Sequence, residues 1–432
     1  MNKKEKKALV PRLRFPEFVS AKEWQEYTLD EIADRITEKV GDKQLTTLSI
    51  SAGIGFISQA EKFSRDISGK QYKNYIFLQK GDFSYNKGNS KKYPQGCVYE
   101  LNEYDEAAVP NAFISFRFNK SYVSDFYKGY FESNFHGKQL MKFITSGARM
   151  DGLLNINPAD FFSIILPTPK DRAEQQKIAD CLSSLDDLIA AEAKKLEALK
   201  AHKKGLMQKL FPVEGQTVPA WRFPEFRECG EWNLKPIGNK VDLISGYAFK
   251  SEEILEDERG TPLMRGINIT EGSVRHNQDI DRFFTGETEK LEKYRLQIND
   301  LVIGLDGSKV GKNSSLITQC DEGALLVQRV ARLRAKSTIT IEFIFQHINS
   351  SKFHSYVDKI NTSSGIPHIS AQQIKDFKIC FPTELEEQQK IADCLTSIDN
   401  FITDQAKKVE ALKVHKKGLM QGLFPSIEAV DK

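Results

Sequence analysis

Two loops rich in lysine, asparagine, glycine and serine carry the side chains best suited to chemistry in this 432-residue chain. The first runs Tyr85-Asn86-Lys87-Gly88-Asn89-Ser90-Lys91-Lys92, the second Asp306-Gly307-Ser308-Lys309-Val310-Gly311-Lys312-Asn313. Each follows a strand start, Gly81-Asp82-Phe83 or Asn299-Asp300-Leu301, and aligning the two aspartates places Ser90-Lys91 on Ser308-Lys309. An ammonium group on such a loop reaches backbone phosphate, whereas Asn and Lys also read base edges, so the pattern suits a DNA duplex. One such loop reads equally well as a solvated hairpin turn; its recurrence in both halves favours binding. The candidate contacts are therefore Tyr85, Asn86, Lys87, Lys91 and Lys92, then Ser308, Lys309, Lys312 and Asn313. Gln328 and Arg329, with Arg332 beyond them, are weaker candidates. Residues 324–333 read as a strand, whose polar side chains more often form an exposed face.

Catalytic chemistry finds no comparable support. Neither loop is GxxxxGK[ST], and no GxGxxG precedes the first long helix described below. Asn157-Pro158 is followed by Ala159, so the Asn-Pro-Pro-aromatic signature of DNA amino-methyltransferases is missing. The nuclease triplet Glu-x-Lys occurs only at Glu5/Lys7, in a basic arm, and at Glu192/Lys194, inside a helix. His202 and His415 occupy equivalent helix positions and read as surface residues. Six cysteines (97, 181, 229, 320, 380 and 394) show no CxxC or Cys/His metal spacing. Cys181 and Cys394 are equivalent positions, which suits packing in a reducing cytosol. No catalytic residue, metal or cofactor is assigned to this chain. A net charge of +3 announces nucleic acid only if it is localised. No apolar run approaches the length of a membrane span.

The elements that position these loops are written twice. EQQKIADCLSSLDDLIAAEAKKLEALKAHKKGLMQKLFP, starting at Glu174, recurs at Glu387 as EQQKIADCLTSIDNFITDQAKKVEALKVHKKGLMQGLFP, with 29 of 39 positions identical in the gapless pair. Within each copy the seam keeps a 4-3 spacing. It runs Ile178, Leu182, Leu185, Ile189, Leu196, Leu199 and Leu206, and again Ile391, Leu395, Ile398, Ile402, Val409, Leu412 and Leu419. That spacing predicts two coiled-coil helices, each roughly 55–60 Å long. Glu192 and Lys203, with Gln405 and Lys416, interrupt the seams at matching places, a device that fixes register and partner. Each helix is therefore expected to pair with the other copy. A second landmark, RFPEF leading to a tryptophan, opens each half at Arg14 and at Arg222. The inserts between, about 27–165 and 235–380, differ strongly. Strands are expected near 46–50, 75–78, 112–118, 301–305 and 324–333, and helices near 123–144 and 341–360.

These landmarks together resemble the specificity (S) subunit of type I restriction–modification systems, over nearly the whole chain. The resemblance implies an α+β fold: two mixed α/β target recognition domains joined by two long antiparallel coiled-coil helices with pseudo-two-fold symmetry. The divisions expected are an arm (1–19), a first recognition domain (20–172), a first conserved helix (173–212), a linker (213–220), a second recognition domain (221–385), a second conserved helix (386–425) and a tail (426–432). It also implies that each recognition domain reads one half of a bipartite asymmetric site in double-stranded DNA. The coiled coil would set the spacer and dock two methyltransferase (M) subunits, through which restriction (R) subunits join. S-adenosylmethionine, ATP and Mg2+ would serve those partners, in a cytoplasmic bacterial system of phage defence. Geometry agrees: two inserts on an antiparallel helix pair would sit about one DNA turn apart, as bipartite readers do. The rival is a coiled-coil interaction scaffold with peptide-binding inserts, which accounts for the helices but not for the repeated loops.

Overall fold

The computed structural model describes residues 9–88, 93–144, 154–361 and 367–425. The chain divides into two compact units, Met1–Ala193 with Lys407–Lys432, and Lys194–Ala406. Both division points fall inside long helices, so each unit owns the first half of one helix and the second half of the other. The helices run Arg172–Leu210 and Leu385–Leu423, 39 residues each. Both stop two residues short of the expected ends because Pro212 and Pro425 disfavour helical backbone in the residue before them.

Unit 1 carries β1 (Gln25–Thr28), β2 (Ala33–Arg35), β3 (Leu48–Ser51), β4 (Gly55–Ser58), β5 (Ile76–Gln79), β6 (Phe83–Asn86), β7 (Cys97–Glu100), β8 (Glu106–Val109), β9 (Ile114–Phe118) and β10 (Ile165–Thr168). Its main sheet has the order β2-β9-β6-β7, all neighbours antiparallel. Unit 2 carries β11 (Asn233–Pro236), β12 (Val241–Ser245), β13 (Thr261–Met264), β14 (Phe283–Phe284), β15 (Leu301–Gly304), β16 (Ser314–Leu316), β17 (Leu325–Leu326), β18 (Val330–Ala335) and β19 (Lys378–Phe381). Its main sheet has the order β12-β18-β15-β16, again antiparallel. The strand before each conserved helix closes on the one after each tryptophan, β10 on β1 and β19 on β11. Two inserts of unlike sequence therefore share one sheet plan.

The repeated landmarks are the buried joints of that plan. In unit 1 the Arg14 guanidinium donates twice to the Glu174 carboxylate, both bonds at 2.7 Å, and the Trp24 indole donates to it at 3.1 Å. In unit 2 Arg222 donates twice to Glu387 at 2.6 Å. The next residue anchors the insert. Gln175 accepts from the Val123 N–H at 2.9 Å and donates to the Pro169 carbonyl, and Gln388 does the same for Thr340 and Pro382. Buried charges persist only when paired in this way, which accounts for RFPEF and EQQ appearing twice.

The helix stretches run antiparallel within each unit, and the seam positions are the less exposed ones along both helices. The seam lysines face acids on the opposite helix: Lys416 meets Asp186 at 2.6 Å, and Lys203 meets Asp399 at 2.7 Å. Lys408 pairs with Glu192. The expected helix at 123–144 breaks at Asn134, whose φ of 56° is left-handed, into Ser124–Glu132 and Phe135–Leu140. That at 341–360 breaks where Ser350 caps a second helix, giving Ile341–Ile348 and Ser351–Ile360. No helix among the described residues is long and apolar enough to cross a membrane.

Candidate nucleic-acid interface

Just before a central strand of each sheet lies one buried carboxylate. Asp82 precedes β6, accepts from the Gln79 N–H at 2.6 Å and holds Arg117 of β9 through two bonds at 2.6 and 2.8 Å. Asp300 precedes β15, accepts from the Gln297 N–H at 2.8 Å and holds Arg334 of β18 through two bonds at 2.7 Å. Each carboxylate raises its arginine further above the ordinary guanidinium value, mainly through these hydrogen bonds. The pairs fix the strands whose far ends carry the two loops.

In unit 2, four segments distant in sequence converge beyond the end of β15. The Leu305 N–H donates to the Arg329 carbonyl at 2.9 Å, and the Arg329 guanidinium donates to Asp306 at 2.9 Å. The Gln328 N–H donates to the Tyr247 carbonyl at 2.7 Å, and the Gly307 N–H to Pro367 at 3.2 Å. Gly246 makes this approach possible, since a Cβ there would stand 2.2 Å from the Val327 carbonyl oxygen. The result is one surface bearing exposed Tyr247, Ser308, Lys309, Gln328, Arg329 and His368. Arg329 has a φ of 67°, costly for a non-glycine residue and a mark of functional positions. An amide and a guanidinium side by side can each make bidentate contacts with a base edge, while an exposed tyrosine ring can stack.

Gln328 and Arg329 do not lie on a strand as expected. They form a turn between β17 and β18, because the predicted single strand is split at Val327–Arg329. That places both in the loop cluster, which strengthens them as candidates. Arg332, by contrast, is buried and paired with Asp242, so it faces no ligand. Lys309 lies 3.0 Å from Glu271, and the half-buried Lys312 lies 3.6 Å from Asp358, surface pairs of the kind worth little in water. Asn313 is half-buried and uses its carbonyl in the ladder to Gly304.

Unit 1 builds its counterpart differently. Tyr85 is a correction: the ring is fully buried, stacked 4.5 Å from Phe161, and its hydroxyl donates to the Gln95 carbonyl. Strand alternation turns it into the core, so it touches no DNA. Asn86 folds back on its own loop, accepting from the Gly88 N–H at 2.9 Å. Lys87 is half-buried, and its carbonyl accepts from Leu154 at 2.9 Å. Lys91 and Lys92 lie outside the described residues. The tip between β3 and β4, near the Phe83–Glu100 end of the β6–β7 ladder and away from the loop, presents Ile54 at 73% exposure, tied back by the Gly53 N–H on the Tyr99 hydroxyl at 2.8 Å. Sequence reading missed Tyr247 and His368. Only the pairing of strands brings them to the loops, although Gly246 before an aromatic was a visible turn signal.

Residues 21–201 and 230–413 both match the family described as type I restriction modification DNA specificity domain. A curated relative, the type I restriction enzyme MjaVIII specificity subunit of Methanocaldococcus jannaschii, is 30% identical over 286 residues, 65% of this chain and 66% of that protein. The matched part thus spans just under two thirds of that relative. The EcoAI specificity subunit of Escherichia coli is 31% identical over 196 residues, 45% of this chain and 31% of that protein. Among solved structures, the S subunit from M. genitalium aligns with a TM-score of 0.62 at 18% identity, covering 97% of this chain and all of that one. A chain from a structure of type I restriction–modification complex assembly aligns with a TM-score of 0.52 at 14% identity, covering 93% and 98%. Both structures share the fold.

Proposed function

Because the chain belongs to the type I restriction–modification DNA specificity family, we propose that it is the sequence-reading subunit of such a complex and carries out no catalysis itself. Each insert reads one half of a bipartite, asymmetric site in double-stranded DNA. The paired helices set the spacer and dock two methyltransferase subunits, through which restriction subunits join. S-adenosylmethionine belongs to the former partners, ATP and Mg2+ to the latter, and the assembly works in the cytoplasm. The observation that carries this reading is the pairing of one buried plan with two unlike loop surfaces. A shared frame needs the same joints twice, whereas two half-sites need different side chains. A peptide-binding scaffold would leave the family match and the repeated cationic loops without a purpose.

Mapping methylated sites in cells that carry the chain with its partner subunits tests the proposal. Replacing residues 27–165 by the equivalent segment of another family member should change one half of the motif and leave the other intact. Changes in both halves would refute independent reading. Arg329→Ala should relax the half-site read by unit 2 alone, by on the order of 1–3 kcal/mol if the guanidinium grips a guanine.

A further inference from the structure

Matching contacts in the two units establish a residue-by-residue correspondence. Val123 and Thr340 both donate to the helix glutamine, so Tyr130 corresponds to His347 and Phe135 to Lys352, at a constant offset of 217. In unit 1 the Tyr130 ring lies 4.4 Å from Phe424 and 4.8 Å from Phe135, and its hydroxyl donates to the Pro167 carbonyl. In unit 2 Phe211 stands where Phe424 stands, 4.0 Å from His347, but the two fillers are a smaller ring and a lysine. The space that the aromatic pair occupies in unit 1 is a pocket of about 350 Å³ in unit 2, with Met207, Phe211 and Ile379 as apolar walls.

Three features give that pocket a ligand chemistry. His347 lines it and is 94% buried (6% exposed), yet its Nε2 has no hydrogen-bond partner among the described residues. Burial, helped by the charge of Lys352, pushes its pKa down to about 3, so the ring is neutral. The rim holds Lys204 and Lys352, which have no acidic partner among the described residues, beside Lys200 and Lys203. The carbonyl matching that of Pro167 belongs to Cys380, also in the lining. We propose that this pocket docks a protein partner through one tyrosine-like side chain set in an acidic segment. The ring replaces the filler that unit 2 lacks, its hydroxyl meets the Cys380 carbonyl or His347, and the flanking carboxylates meet the lysine rim. Since unit 1 fills the same place with its own Tyr130, the chain takes one such segment and not two.

The test is fluorescence anisotropy of the labelled peptide Ac-Asp-Glu-Tyr-Asp-Glu-NH2 against the full chain. Saturable binding at one peptide per chain is expected, weakened about tenfold or more when the peptide tyrosine becomes alanine, the scale of a lost aromatic anchor. The pair His347→Tyr with Lys352→Phe, which copies the unit 1 filler, should abolish binding while leaving DNA affinity unchanged. Should that pair fail to fold, Lys204→Glu on the rim decides, with a loss of about tenfold expected from charge reversal. Absence of saturable binding, indifference to the tyrosine, or displacement of the peptide by duplex DNA would each overturn the proposal. The last outcome would give the pocket to nucleic acid.

Discussion

The two units differ least where they are most buried and most where they meet solvent. Their Arg–Glu joints, glutamine anchors and strand-start Asp–Arg pairs recur contact for contact, although the inserts around them have diverged. Among the described residues their loop surfaces differ: unit 1 offers a half-buried Lys87, unit 2 an exposed Tyr247, Gln328, Arg329 and Lys309 surface. A buried charge released from its partner costs several kcal/mol, so such pairs cannot drift one member at a time. An exposed side chain costs little to exchange. Duplication followed by divergence therefore preserves a frame and frees two reading surfaces.

The largest expected effect comes from breaking the frame itself. Glu174→Ala and Glu387→Ala each strand a guanidinium that is 7% exposed, and should cost about 3–5 kcal/mol by urea unfolding. The units are not equivalent even here. Glu174 also accepts from the Trp24 indole, whereas the Trp232 Nε1 is buried with no partner among the described residues. Glu174→Ala should thus lose about 1 kcal/mol more. Equal losses would mean that the indole bond contributes nothing.

A smaller effect isolates one sheet position. Glu100 pairs in register with Phe83, and Leu316 with Leu301, so unit 2 has leucine where unit 1 has an acid. Burial, with the nearby Asp125 charge, pushes the Glu100 carboxyl up from 4.5 to about 8. A raised value means the folded state holds the proton more tightly. Its contribution is complete below pH 4.5 and is lost as pH rises toward 8. Glu100→Leu, copying unit 2, should remove that slope and gain on the order of 2 kcal/mol at pH 8, after discounting for partial exposure. Parallel stability curves for the two proteins between pH 5 and 8 would show that this carboxyl is already ionised in the fold.

What the sequence disclosed follows the same division. The helices were legible because a 4-3 seam and a near-verbatim repeat encode them locally. RFPEF and EQQ were visible as landmarks, but their meeting across some 160 residues was not. Residues close together in one loop separated because the strand ends between them: Tyr85, still on β6, packs in the core, whereas Lys87, past Asn86, is only half-buried. Gln328 and Arg329 were read as strand because an apolar run surrounds them, and a left-handed turn at Arg329 leaves no mark in composition. The reading surface of unit 2 is a product of topology, assembled from four segments that no window of sequence spans.

The finest distinction concerns how the loop cations of unit 2 are held before DNA arrives. Lys309 and Arg329 lie near Glu271 and Asp306, at 3.0 and 2.9 Å, and both cations are well exposed. An exposed pair of this kind contributes only about 0–1 kcal/mol, so a phosphate can displace the carboxylate at little cost. If Lys309 and Lys312 take phosphates, replacing both by alanine should flatten the log–log salt dependence of duplex binding by up to about 1.8. Lys87→Ala, the only described loop lysine of unit 1, should flatten it by up to about 0.9. Asp306→Ala acts the other way: it releases Arg329 to the duplex and should steepen the slope by at most about 0.9. The ordering of these three slopes is the discriminating result. A parental slope in all three proteins would reduce both loops to solvated turns and leave recognition to Tyr247, Gln328 and the Ile54 tip.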